Sequence, residues 1–448
     1  MARKYFIETF GCQMNLHDAE RVSGLLEEDG YERTDDERAA DLVVINTCSV
    51  RERAAEKVYS RLGEVREATI ERAAAPIVAV MGCVAQQEGE RMLRRDPSID
   101  VVVGTQRLKD LPRLVSEAAR ARRRVVDISP RDDVSFPLGV ARHTDAVRAR
   151  VTIVEGCNEF CAFCVVPYTR GHERMRPAAD ILAEVRDAAR TGHREVQLLG
   201  QIVNHYQAPD DPSCDFAVLL ERVSDVPGID RIRFASPHPR HVSSRLIGAI
   251  RDLPKVCKHL HLPVQSGSNA MLRAMRRRHT REDYFALVDR LRDAIPDIAL
   301  STDMIVGFPG ETDADFEQTL DLVRHVRYHS MFSFKYSPRP NTLALKRMPD
   351  DVPERVKTER IVALQRLQAG IQHDWHVQAV GRIAEVLVDA TSRRRSDELA
   401  GRTSGNTVVN FPGPPEWLNT LRRVRITAAA PNSLRGEAVD LAATPLAG

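Results

Sequence analysis

Cys157-Asn158-Glu159-Phe160-Cys161-Ala162-Phe163-Cys164 sets three cysteines in a C-x3-C-x2-C array near the middle of a 448-residue chain. Three thiolates at that spacing wrap one corner of an iron–sulfur cube and leave the fourth iron without a protein ligand, open to a second molecule. The rival reading is structural zinc, which normally takes four protein ligands at a closed site. No fourth cysteine lies close by, and His172, directly after Arg170 and Gly171, is poorly spaced to serve. The array follows the candidate strand Val151–Val154, the first of six; the others are Val196–Leu199, Arg231–Phe234, His259–Leu262, Ala299–Val306 and Met331–Tyr336. Helical patterns such as Ala178–Ala189 and Asp315–Val326 lie between them. Residues 149–375 therefore read as a partial (βα)6 barrel in place of a closed eight-stranded one, with function expected at its C-terminal mouth.

Residues 1–120 alternate in the same way. Tyr5-Phe6-Ile7, Leu42–Ile45, Ile77–Val80 and Ile99–Val103 read as strands, with an amphipathic helix over Ala19–Glu28 and a charged one from Arg51. That order predicts a parallel sheet covered by helices. Cys12, Cys48 and Cys83 each fall just after a strand, in Phe10-Gly11-Cys12, Asn46-Thr47-Cys48 and Met81-Gly82-Cys83. The carboxyl ends of parallel strands share one edge, and neighbouring strands lie about 4.8 Å apart. Three cysteines far apart in sequence can thus converge on a second cluster. The glycines before Cys12 and Cys83 suit tight turns. The plain alternative is a set of buried thiols acting as small core residues, and it serves for Cys214 and Cys257, which fit no pattern.

Residues 121–148 read as a linker. The arginines at its start, Arg120, Arg122, Arg123 and Arg124, are either a solvated helix end or a phosphate-facing patch, and turn formers follow around Ser129–Asp133. Over 376–448 the pattern changes to short strands, Ile383–Val388, Val408–Phe411 and Val424–Thr427, punctuated by glycine and proline, which predicts a small β-barrel. The fold class is thus α/β with an appended barrel. With a net charge of only +2, nucleic-acid affinity has to come from local patches. Two runs offer one: Arg273, Arg276, Arg277, Arg278 and Arg281, and then Arg393, Arg394 and Arg395. The start of the chain does not read as a signal peptide, and no run of about 18 apolar residues predicts a membrane span. Eight cysteines in such a chain point to a reducing cytoplasm and to metal or redox use.

The array, its place after the first strand and the six βα units together resemble the radical S-adenosylmethionine enzymes. The resemblance implies a [4Fe–4S] cluster whose open iron takes the amino and carboxylate groups of S-adenosylmethionine, with reductive cleavage giving a 5′-deoxyadenosyl radical. Cys164-Val165-Val166-Pro167-Tyr168-Thr169-Arg170-Gly171, Leu199-Gly200-Gln201, His261–Gly267 and Val306–Thr312 are similar to the methylthiotransferase branch. In that branch three scattered N-terminal cysteines hold a second [4Fe–4S] cluster, and the terminal barrel is a TRAM-like RNA-binding module. Three substrates occur in the branch: isopentenyladenosine 37 of tRNA, threonylcarbamoyladenosine at the same position, and an aspartate of a ribosomal protein. Glu398–Thr403 with Val408–Phe411 is similar to the members that act on isopentenyladenosine. The sequence departs from the branch at Met175, Ile202, Asn341 and Leu343, none of them a cysteine.

The same resemblance implies roles for individual residues. By it, Cys157, Cys161 and Cys164 hold the radical-generating cluster, and Cys12, Cys48 and Cys83 the one that presents sulfur. Gly200, Gln201, Ser236, Gln265 and Arg339 border S-adenosylmethionine, although each also reads as ordinary turn chemistry. Gly307 and Gly310 let the backbone approach the adenine, while His259 and His261 are packed or hydrogen-bonded residues of the barrel interior. The implied partners are a tRNA anticodon loop and an electron donor such as a flavodoxin or ferredoxin, and the implied enzyme is a monomer. A rival from another class is a non-catalytic iron–sulfur RNA-binding protein that senses redox state. Two cubes require about eight irons per chain, which an iron assay on anaerobically reconstituted protein checks.

Overall fold

The computed structural model describes residues 2–49, 54–70, 72, 74–131, 136–137, 139–392, 395 and 397–439. Runs such as Leu42–Thr47 are buried along their whole length, which suits a strand covered on both faces. Six strands, β1 (Arg3–Phe10), β2 (Tyr31–Arg33), β3 (Leu42–Thr47), β4 (Ile77–Gly82), β5 (Val101–Val103) and β6 (Val125–Asp127), form one parallel sheet in the order β2-β1-β3-β4-β5-β6. Alternate residues serve opposite faces. Leu42, Val44, Ala79 and Met81 pack with Val22, Leu26 and Leu111 on one side, whereas Val43, Ile45, Val78 and Val80 pack with Val58 and Leu62 on the other.

The edge strands β2 and β6 are absent from the sequence reading. Each has three residues, too few to display a period, and β6 falls inside the expected linker. The first helix, α1 (Gln13–Glu28), starts earlier than its apolar pattern, directly after Cys12. The charged helix is described from Ala54, so Arg51 lies outside the described residues.

The middle of the chain forms six parallel strands in two sets of three. Arg148–Thr152, Glu195–Leu199 and Arg231–Phe234 make one set, and His259–His261, Ala299–Val306 and Ser330–Lys335 make the other. Hydrogen bonds from Ile232 N to Lys255 O and from Cys257 N to Ile232 O join the sets just before the fourth strand. Alternation divides this partial barrel into an apolar outside and a polar inside. Ala149, Val151, Val196, Leu198, Ile232 and Phe234 belong to the apolar core under the helices. Arg148, Arg150, Glu195, Gln197, Arg231 and Arg233 take the other face. His259 and His261 both meet the Ser301 hydroxyl at 2.9 Å, as hydrogen-bonded interior residues.

The helix Glu354–Ala379 runs from this domain to a closed barrel of five strands: Ile383–Thr391, Glu398–Thr403, Val408–Pro412, Leu421–Ala429 and Leu434–Ala438. The sequence reading contains three of these. The other two, Glu398–Thr403 and Leu434–Ala438, carry Gly401 and Gly436 and few apolar side chains. A Cβ at either glycine would stand 2.4 Å or less from Leu387 O or Val424 Cγ1 across the narrow barrel, counting the nearest atom in each case. The barrel docks at the N-terminal ends of the core strands. Arg231 Nη2 donates to Glu385 O (2.9 Å), Arg233 Nη2 to Thr403 O (2.6 Å), and Arg148 Nη2 pairs with Asp389 (3.1 Å).

At the opposite end, the turn after Ala299–Val306 is tied to the long helix. Glu311 Oε2 accepts from Gly307 N (2.6 Å) and from Arg360 Nη1 (2.8 Å), with both charged side chains buried. Removing one member of a buried pair strands the other, at a cost of about 3–5 kcal/mol. Arg360→Met should therefore lower stability by that order, and Glu311→Gln with Arg360→Met by less, as measured by urea unfolding.

Candidate functional site

The N-terminal cysteines meet on one sheet edge because their strands end in register. Phe10 pairs with Thr47, and Thr47 with Gly82, so Cys12, Cys48 and Cys83 follow three adjacent strand ends. Two glycines act here in different ways. Gly82 has φ +96°, and a Cβ there would stand 2.5 Å from Asn46 Oδ1, so it makes the turn that was expected. Gly11 has no left-handed φ; it admits a close approach, since its Cβ would lie 2.9 Å from Cys48 Cβ. Asn15, three residues into α1, holds the group together. Its side chain lies 3.2 Å from Cys12 Sγ and donates to Asn46 Oδ1 (3.1 Å) and Thr47 O (2.8 Å).

The thiols of this triad differ in charge. A hydrogen bond from Cys48 and the nearby Arg170 cation hold Cys12 down to about 5, against the opposing effect of burial. Burial pushes Cys83 up, partly offset by Arg170. Arg170 comes from the other domain. It ends the short helix Val166–Arg170, is 5% exposed, and reaches Asp18 Oδ2 of α1 at 2.6 Å.

The second triad lies after the first core strand. Cys157 N donates to Gly171 O (3.1 Å) and Cys164 N to Cys161 O (3.0 Å), which folds the C-x3-C-x2-C loop back on itself. Burial raises Cys157 to about 11 and Cys164 to about 12, and the neighbouring Cys161 adds to both shifts. Arg277 is 5% exposed; it donates to Cys161 Sγ at 3.4 Å and to Pro263 O at 2.7 Å. That corrects the reading of Arg277 as one of a run of RNA-facing arginines. Arg281, from the same run, spends its charge on Asp321 and stacks over Phe285. Arg276 and Arg278 adopt left-handed backbone on either side of Arg277, a turn that a charge pattern does not display. Arg393 and Arg394 lie outside the described residues, and Arg395 pairs with Glu398 at 3.3 Å. Arg123 pairs with Glu117, and Arg124 donates to Leu93 O at 2.7 Å, so those two serve the protein surface.

The expected rim residues stand at the carboxyl ends of the core strands, as the second triad does. Gly200 and Gln201 follow Glu195–Leu199; a Cβ on Gly200 would touch Val154 Cβ at 3.0 Å, and Gln201 Oε1 is buried with no hydrogen-bond partner among the described residues. Ser236 and Gln265 follow the third and fourth strands in left-handed backbone, and Gln265 is pinned to Asp303 O and Ile305 N. Gly307 and Gly310 follow the fifth strand, and Arg339 follows the sixth. Cys214 is buried in the apolar core of the barrel wall, and Cys257 is buried just before the fourth strand, beside Arg233, Glu195 and Ser404. His172 meets Asn158 Oδ1 at 3.0 Å.

The donor sets fit iron–sulfur clusters. Each is a trio of soft sulfur ligands, partly or wholly buried, with a cation beside it to balance thiolate charge. Between the domains opens a cleft of about 560 Å³, lined by Gln87, Glu88, Arg91, Arg94, Arg95, Pro340 and Asn341. Its arginines escape sequence reasoning because a short charged helix reads as a solvated face. In metal-free protein, Cys12 is a thiolate above about pH 5, whereas Cys157 and Cys164 remain thiols until about pH 11 and 12. Iodoacetamide at pH 7 should alkylate Cys12 well ahead of those two, with the order read by peptide mass spectrometry.

Family models match three parts of the chain: Uncharacterized protein family UPF0004 over residues 4–104, the Radical SAM superfamily over 151–323 and the TRAM domain over 377–439. Relatives match nearly from end to end. A tRNA-2-methylthio-N(6)-dimethylallyladenosine synthase of Syntrophotalea carbinolica is 43% identical, covering 98% of this chain and 100% of its own length. Proteins of the same name from Geobacter metallireducens and Methylococcus capsulatus are each 46% identical, covering 96% and 99% of this chain and 97% of their own lengths. Among solved structures, the radical S-adenosylmethionine methyltransferase TsrM of Kitasatospora setae, with tryptophan and a SAM analog bound, superposes with a TM-score of 0.57. It covers 77% of this chain and 75% of its own at 16% identity, a likeness of fold.

Proposed function

Because the chain belongs to the family of tRNA-2-methylthio-N(6)-dimethylallyladenosine synthases, we propose that it is the tRNA methylthiotransferase that replaces the C2 hydrogen of N6-isopentenyladenosine 37 with a methylthio group. When bound, two [4Fe–4S] clusters and S-adenosylmethionine would generate the radical, present the sulfur and donate the methyl group. Cys157, Cys161 and Cys164 hold one cluster, and Cys12, Cys48 and Cys83 the other. The observation that carries this assignment is the placing of two thiol trios on the carboxyl edges of two parallel sheets, with helix Val166–Arg170 between them.

The protein's part is to hold charge and position. Arg277 donates to the Cys161 sulfur and keeps that thiolate oriented. Arg170 brings a buried cation to the other trio, and Asp18 fixes the direction of its guanidinium. Gly200, Gln201, Ser236, Gln265 and Arg339 border S-adenosylmethionine. Gly200 lets the backbone pass close to Val154, and Gln201 Oε1 offers a buried acceptor suited to an amine. Arg91, Arg94 and Arg95 give the interdomain cleft the charge to receive phosphates of the anticodon stem. A loop base can be splayed into the mouth without breaking a duplex. A flavodoxin or ferredoxin supplies the electron. The enzyme works as a monomer in the cytoplasm; among the described residues, no helix is long and apolar enough to cross a membrane.

Mass spectrometry of tRNA nucleosides from a deletion strain should show isopentenyladenosine without its 2-methylthio derivative. Loss from threonylcarbamoyladenosine instead would overturn the substrate assignment. Changing Cys157, Cys161 and Cys164 to alanine should abolish S-adenosylmethionine cleavage. Changing Cys12, Cys48 and Cys83 should spare some cleavage and abolish sulfur insertion; methylthiolation by that second variant would sink the two-cluster scheme.

A further inference from the structure

Neither trio of cysteines uses the buried group formed by His17 and Glu20 of α1 and His143, at the seam between the N-terminal and core domains. The side chains of His17, Glu20 and His143 are 0%, 1% and 9% exposed. Their candidate ligand atoms all lie within 4.8 Å of one another. Glu20 Oε2 is 3.2 Å from His143 Nδ1 and 3.5 Å from His17 Nδ1. A tetrahedral ion with bonds of about 2.0–2.1 Å sets its ligand atoms about 3.3–3.4 Å apart. The two spacings bracket that edge length.

The surroundings are arranged as a ligand shell requires. Glu20 Oε1 accepts from Thr144 N (3.1 Å), Thr144 Oγ1 (3.0 Å) and Arg150 Nη1 (2.8 Å). Three donors fix that oxygen and leave Oε2 facing the imidazoles. On the far side of His17, Glu184 Oε1 lies 3.7 Å from Nε2, and Arg176 holds Glu184 Oε2 at 2.7 Å. A carboxylate behind a histidine that ligates through its other nitrogen is the usual support of a metal-bound imidazole. A small crevice lined by Phe136, Gly139, His143, Arg176 and Glu184 lies beside the group.

The plain reading is an ion-pair cluster that glues two domains. It holds His17 only loosely, 3.5 Å from Glu20 and 3.7 Å from Glu184. Both ring nitrogens lack a hydrogen-bond partner among the described residues, although the side chain is wholly buried. Such a group costs stability unless something satisfies it. A bound cation satisfies Nδ1 and draws the Nε2 proton toward Glu184.

We propose that His17, Glu20 and His143 bind a divalent cation of the zinc type, with Glu184 behind His17 and a fourth position for water, and that this ion clasps α1 of the N-terminal domain to the segment that leads into the core. Two imidazoles and a carboxylate suit Zn2+ and exclude the soft all-sulfur chemistry of the cysteine trios.

The test uses cluster-loaded full-length protein given one equivalent of Zn2+ and then passed through a desalting column. Metal analysis should find about one zinc beside about eight irons. Zinc-edge X-ray absorption should show nitrogen and oxygen at about 2.0–2.1 Å and no sulfur. His17→Gln and His143→Gln should each lose the zinc and keep the iron. Zinc retained below about a tenth of an equivalent, or sulfur in its shell, or zinc unchanged in both variants, overturns the proposal. If the variants do not fold, the zinc content and spectrum of the unmodified protein decide it.

Discussion

The buried pair of Arg170 and Asp18 ties the two halves of the catalytic assembly together. Arg170 sits six residues beyond Cys164 in the chain, yet its guanidinium lies against α1 and the cysteines of the other domain. Burial alone would make such a cation costly. The carboxylate of Asp18 and the sulfurs of Cys83 and Cys12 outweigh that cost and hold it charged. Thiolates gathered in a dry seam require a fixed counter-charge, and a side chain from the opposite domain supplies it only when both domains are docked. Two further buried pairs, Arg21 with Glu155 (3.0 Å) and Arg150 with Glu20 (2.8 Å), follow the same seam.

This arrangement makes the docking of the domains part of the chemistry. The helix Val166–Arg170 packs against the helix that Cys83 begins, so a shift of one domain against the other changes the spacing of the two trios. Arg277 has the corresponding duty on the core side, carrying its charge to Cys161 from a turn braced by Pro263 O. In both places a lone arginine, fixed by a second contact, faces sulfur.

Much of this is legible in the sequence, for physical reasons. Strands buried on both faces announce themselves as unbroken apolar runs, so Leu42–Ile45 and Ile77–Val80 are plain, and with them the edge on which Cys12, Cys48 and Cys83 stand. The core strands show a different cue, apolar residues alternating with polar ones, as in Arg231–Phe234 and His259–His261. What stays hidden depends on tertiary context. The strands β2 and β6 are too short to show a period. The strands through Gly401 and Gly436 lack the side chains that mark a strand, because the barrel has no room for them. Arg277 looks like part of a solvated run until the backbone turns left-handed on both sides of it. His17 and Glu20 carry no mark in the sequence, because their partners, His143 and Glu184, lie more than a hundred residues away.

The terminal barrel stands at the foot of the core strands, braced by Arg231 and Arg233, while both sulfur trios stand at the head. The strand Ala299–Val306 has 8 residues and runs about 26 Å between these levels. A molecule gripped at one level and altered at the other has to be at least that tall. A loose nucleoside falls short of that span, whereas a folded polynucleotide can reach across it.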